Sequence, residues 1–130
     1  MSNARDLADL LTKAGSTLSS YNESYSTVSS SSGSLTIDLS LGNVFELTLT
    51  EAITSSTFSN APSSGIAYAF TLKVIQDSTD RAITWPASVD WAAATAPTLT
   101  SGSASVDVFT FYTSDGGTTW YGFTAGQAMA

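Results

Sequence analysis

The side chains that could do chemistry in this sequence are hydroxyls, carboxylates and aromatic rings. Ser and Thr fill about a third of the 130 positions, eleven residues are Asp or Glu, four are Lys or Arg, and there is no His or Cys. Without His or Cys there is no imidazole base, no thiolate nucleophile and no ordinary zinc site. The serines lack a His partner, and neither Lys13 nor Lys73 follows a Ser by three positions, so the usual ways of activating a hydroxyl are missing. Paired carboxylates for glycoside hydrolysis meet only in space, and eleven thinly spread acids do not single out a pair. Asp77, Thr79 and Asp80 offer oxygen ligands at short spacing, but no full calcium loop surrounds them. A solvated turn is the expectation there. These residue types point to a protein without catalytic residues, metal or cofactor.

Two motifs stand out. The first is Thr113-Ser114-Asp115-Gly116-Gly117-Thr118-Thr119-Trp120. It resembles the Asp-box, a turn motif of sialidase-like β-propellers that also occurs in unrelated β-proteins. Its physical content is a structural hairpin formed by Thr113, Asp115, Gly117, Thr119 and Trp120. Asp115 accepts from backbone N–H groups, Gly117 takes positive φ, and Trp120 packs under the turn. A propeller needs many blades of roughly 40–50 residues, which this length cannot supply. The second motif is Trp85-Pro86 with Trp91. The two indoles suit either a small sandwich core or trimer interface, or a platform on which a sugar stacks.

The elements that must position these residues follow from hydropathy. Over residues 3–14, Leu7, Leu10, Leu11 and Ala14 recur at helical spacing. Asn3 can cap that helix, Asp6 lies three residues on, and Lys13 then Gly15 mark its end. About three turns with a narrow Leu face are marginal alone. Leu7, Leu10 and Leu11 are therefore expected to dock on their own domain or another chain. Residues 16–33 are mostly Ser, Thr, Tyr, Asn and Gly. They read as a linker, or as an arm that orders against a neighbouring subunit.

From residue 34 the period changes to two. Leu35, Ile37, Leu39 and Leu41 form one alternating run, and Phe45, Leu47 and Leu49 a second. Residues 52–59 are a weaker strand. Ile66 to Ile75 is apolar on both faces and reads as the central strand. Ala82 to Trp85, Val89 to Trp91, Val106 to Thr113 and Trp120 to Phe123 complete the set. Several short strands with close turns predict a mainly β domain, an antiparallel β-sandwich (jelly-roll-like) or small barrel, with a short N-terminal helix. The expected layout is a docking helix over 1–15, a Ser-rich linker or arm over 16–33, and a β-sandwich domain over 34–130.

Charge and hydropathy bound the partners. A net charge of −7 with four cations disfavours nucleic acid, whose phosphates call for clustered Lys and Arg. No apolar run reaches the roughly 18 residues of a membrane helix, and residues 1–6 show no signal-peptide pattern. Synthesis in a cytoplasm is expected, without membrane insertion.

An ordered series of short motifs runs from Gly42 to Gly126. It comprises Gly42-Asn43-Val44-Phe45, Phe58-Ser59-Asn60-Ala61-Pro62-Ser63-Ser64-Gly65, Phe70-Thr71-Leu72, Gln76-Asp77 and Ile83-Thr84-Trp85-Pro86-Ala87-Ser88-Val89-Asp90-Trp91. Ala96-Pro97-Thr98-Leu99, Asp107-Val108-Phe109-Thr110-Phe111 and Asp115-Gly116-Gly117-Thr118-Thr119-Trp120-Tyr121-Gly122 follow. This series resembles a β-domain of tailed-bacteriophage and prophage structural proteins. The opening Ala4 to Leu11 is similar to short helical openings of phage fibre and appendage proteins. Ser78-Thr79-Asp80-Arg81 departs from that domain's usual Gly-rich turn. The resemblance implies a non-enzymatic virion protein: a tail-fibre or appendage subunit, or a capsid decoration protein, on the virion surface. It carries over no catalytic residues. Its expected partners are copies of itself, as a homotrimer, and other capsid or tail proteins. The alternative is a carbohydrate-binding module that reads host surface glycans through Trp85 and Trp91.

Overall fold

In a computed structural model of the protein, residues 19–129 are described. The expected helix, with Leu7, Leu10 and Leu11, lies outside them. The described chain is mainly β: β1 Tyr25–Val28, β2 Ser34–Asp38, β3 Val44–Thr48, β4 Ser55–Ser59, β5 Tyr68–Ile75, β6 Val89–Trp91, β7 Val106–Thr113 and β8 Trp120–Met129. Two single turns of 3-10 helix, Leu39–Leu41 and Ala92–Ala94, accompany them.

Six strands form one sheet in the order β1-β3-β5-β7-β8-β6, and β2 and β4 form a second. The chain from β1 to β5 alternates between the two sheets. It therefore returns to each sheet running in the same direction. Tyr25 pairs in parallel with Val44, Ser34 with Ser55, and Val44 with Thr71. Only β5–β7 and β7–β8 pair antiparallel, while the short edge strand β6 runs parallel to β8.

The expectation of an all-antiparallel arrangement is thus corrected to a mixed sheet, and the sheet does not close into a barrel. The physical reason is the connections. Parallel neighbours need a crossover, and here β2 and β4 themselves are the crossovers. The arm expected over 16–33 also differs: Tyr25–Val28 is an edge strand of the large sheet. Residues 82–85 contribute a single bridge, Ile83 to Ile53, instead of a strand.

Alternation along each strand decides which side chains go inward. Phe45, Leu72 and Phe109 fall in one cross-strand row, and Phe70 and Phe111 in the next. Leu35 and Ile37 of β2 and Phe58 of β4 close over them from the smaller sheet. Phe58 is the wedge between layers: its ring centre lies 5.0 Å from Phe70, 5.0 Å from Phe111 and 5.5 Å from Trp120. Phe70 and Phe111 stack at 5.0 Å. Such aromatic pairs add about 0.5–1.5 kcal/mol each to the burial of their area.

Phe70 is 2% exposed and touches every other ring of that group. Phe70→Ala is expected to lower unfolding stability by about 3–5 kcal/mol, measured by urea titration. A loss below about 1 kcal/mol, the size of an ordinary surface change, would show that this cluster does not hold the layers together.

Candidate functional site

The β7–β8 hairpin turn has the geometry read from its motif. The Thr113 hydroxyl donates to Asp115 Oδ1 at 2.9 Å, which also accepts the Thr119 N–H at 2.9 Å. The Gly117 N–H donates to Thr113 Oγ1 at 3.1 Å. Gly117 has φ +80°, and a Cβ there would lie 3.1 Å from both Trp120 Nε1 and Ala61 Cβ. Trp120 is buried beneath the turn. Hydrogen bonding from the Thr119 N–H, then from Thr113, outweighs partial burial and holds the Asp115 carboxyl below its ordinary pKa. Thr113, Asp115, Gly117 and Thr119 thus bond to one another within the hairpin, and the Ser114 carbonyl accepts the Gly65 N–H at 2.9 Å, tying the turn to the 60–65 loop.

Trp85 and Trp91 turn inward. Their ring centres lie 5.4 Å apart, and both pack on Phe109 and Phe111. Gly122 makes room for Trp91, since a Cβ there would meet its ring carbons at 2.8 Å. The two indoles are half-buried, and Trp91 Nε1 is buried without an acceptor. They form the flank of the core instead of a two-ring platform facing solvent. Trp91 alone also lines an open cleft of about 450 Å³ with Asp90, Ala92, Ala94, Tyr121 and Phe123.

Asp77, Asp80 and Asp107 are each tied down separately. Asp77 accepts the Thr79 N–H at 2.8 Å and pairs with Arg81 at 3.0 Å. Asp80 accepts the Gly102 N–H at 2.7 Å. Among the described residues no three acids gather as a metal site. Asp107 is buried at the start of β7, where it accepts the Thr100 N–H and hydroxyl, each at 2.7 Å, and the Ala128 N–H at 3.1 Å. Burial pushes its pKa up, but these donors more than offset that and leave it below the ordinary value. Asp107 therefore pins the 98–101 loop and the end of β8 to β7.

The feature that sequence reasoning missed is the outer face of the large sheet. One cross-strand row there reads Tyr25, Val44, Thr71, Thr110, Phe123. The adjacent row places Tyr112 beside Tyr121, with rings stacked at 6.4 Å. Tyr25 is 58% exposed, Phe123 56% and Tyr121 48%. The charges on this outer face are the Glu46–Lys73 ion pair at 3.0 Å and Asp90, whereas Asp107 of β7 faces inward. The signal was present in the aromatics that alternate with core positions, but register was needed to bring them together across five strands. Exposed rings thus stand at both ends of this face, Tyr25 on β1 and Tyr112, Tyr121 and Phe123 on β7 and β8, with Thr71 and Thr110 between them.

No family model matches the chain, and no curated protein or solved structure matches it. Among the described residues no helix is long and apolar enough to cross a membrane.

Asp107 and Asp115 have folded pKa values below those of the unfolded chain, where aspartates titrate near ~3.9. Their stabilisation is complete above that pH and is lost as pH falls through the lower folded values. Asp107→Asn is expected to flatten the acid limb of the stability curve below about pH 4, followed by urea unfolding at a series of pH values. An unchanged slope would rule out Asp107 as a contributor to acid sensitivity.

Proposed function

We propose that this chain is a non-enzymatic structural protein of a tailed-bacteriophage virion. It is a homotrimeric tail-fibre, appendage or capsid-decoration subunit displayed on the particle surface. The observation that carries the reading is the apolar, nearly uncharged outer face of the six-stranded sheet on a chain whose net charge is −7. Like charges keep such molecules apart except where a surface is neutral. That face is suited to contact between protein subunits, and Asp38, Asp77, Asp80, Asp107 and Asp115 elsewhere are used in turns, loops and an ion pair. The motif series from Gly42 to Gly126 supports the virion assignment. Closed cyclic symmetry is the usual outcome for repeated copies of one chain.

A saccharide-binding role is the second reading. The cleft of Asp90, Trp91, Tyr121 and Phe123 favours it, because a carboxylate beside exposed rings offers a sugar both a hydrogen-bond acceptor and stacking surfaces.

Light scattering on the full chain is expected to give the mass of three chains, and antibody labelling is expected to decorate intact particles. A monomer across the micromolar range, or unlabelled particles, would overturn the first reading. A glycan array tests the second: binding should fall at least tenfold in Trp91→Ala and Tyr121→Ala. No binding, or binding unchanged in both variants, would remove it.

A further inference from the structure

We infer that the outer face of the six-stranded sheet is the docking surface for the Leu-faced segment 3–14 of a neighbouring copy of this chain. The inference rests on the homotrimer proposed above and names the contact that builds it.

Four observations converge on this occupant. The first is the path of the chain. Residues 19–24, which lead into β1, are all exposed, and Tyr21 is 71% exposed. The described chain enters the large sheet at its edge strand β1, with Ser24 against Gly42, beside the outer face that carries Tyr25.

The second is dimension. The cross-strand row that has Tyr25 at one end and Phe123 at the other crosses β1, β3, β5, β7 and β8. Five strands at a spacing of about 4.8 Å span roughly 19 Å. A helix over residues 3–14, as the leucine spacing predicts, is about 18 Å long. Residues 15–24 supply a tether of up to roughly 33 Å, long enough to reach a neighbour.

The third is chemistry. Leu7, Leu10 and Leu11 need apolar cover, and a three-turn helix is marginal without it. The face offers Val44, Tyr112, Tyr121 and Phe123 with polar Thr71 and Thr110 between them. Packing a helix across this open face gives the sheet the second apolar layer that a half-covered mixed sheet lacks.

The fourth is charge. Arg5, Asp6, Asp9 and Lys13 make the segment neutral, and Glu46 and Lys73 neutralise each other on the face. Asp90 at the β6 edge is the one further charge on the face, so little of the chain's net acidity enters the contact. Passing one segment from each copy to the next is a head-to-tail contact, which closes when three copies complete the ring.

The test uses the absence of cysteine from the chain, which makes engineered thiols the only ones present. Ala14→Cys keeps the three leucines and is paired in turn with Thr71→Cys, Phe123→Cys and, as a control on the smaller sheet, Thr57→Cys. After mild oxidation, denaturing gels without reductant separate interchain from intrachain products. The expected result is covalent dimers and trimers for at least one of the Thr71 and Phe123 pairs, at least tenfold above the Thr57 control. A trimeric mass with no excess over that control would overturn the docking site and leave the homotrimer standing. An intrachain product would overturn the exchange between copies. A monomeric mass for the unaltered chain would overturn the homotrimer, and this inference with it.

Discussion

The structure depends on a wedge of aromatic rings between two sheets of very unequal size. A two-stranded sheet cannot by itself bury a hydrophobic face. β2 and β4 become stable elements only because Leu35, Ile37 and Phe58 enter the core of the larger sheet. Phe58 lies against Phe70, Phe111 and Trp120 at once, so three strands of the large sheet and the smaller sheet share one contact. The alternating path of β1 to β5 follows from the same constraint. Each passage through the smaller sheet brings apolar residues over the core and returns the next strand parallel to the one before it.

Polar chemistry in the fold serves closure. Asp107 fastens a loop and the end of β8, Asp115 organises the hairpin turn, and Arg81 and Lys73 are each held by an acid. The Tyr68 hydroxyl donates to the carbonyls of Leu39 and Gly42, joining the turn after β2 to the start of β5. With these groups committed, the outer face of the large sheet is the surface without an internal role. Its rings stand where solvent-facing strand residues are usually polar, and that contrast is why the proposed assembly is centred there.

Much of the strand content was legible in the sequence, and particular residues show why. Leu35 and Ile37, then Phe45 and Leu47, alternate with polar neighbours, so both the strands and their inward faces could be read directly. The Asp115 turn was equally clear, because its donors and acceptors lie within a few residues of one another. Trp85 and Trp91 were harder. Their types fitted either a core or a platform, and only the tertiary contacts turn them inward: Phe109 and Phe111 beneath both rings, and the space left by Gly122 for Trp91. The strand at Tyr25–Val28 was hidden in a Ser-rich stretch, since an edge strand of four residues with one half-buried Val carries little hydropathy signal.

Sequence alone determined the mainly β class, most strand positions and the hairpin turn. These are local properties, set by composition and by a period of two residues. Strand direction and strand order were decided by tertiary structure, as was the gathering of Tyr25, Tyr112, Tyr121 and Phe123 on one surface. Alternation says which side of a strand is apolar, but a strand has the same pattern whichever way its neighbour runs. Direction is settled by where the connection goes. Here the connections pass through a second layer that exists only when the core has formed.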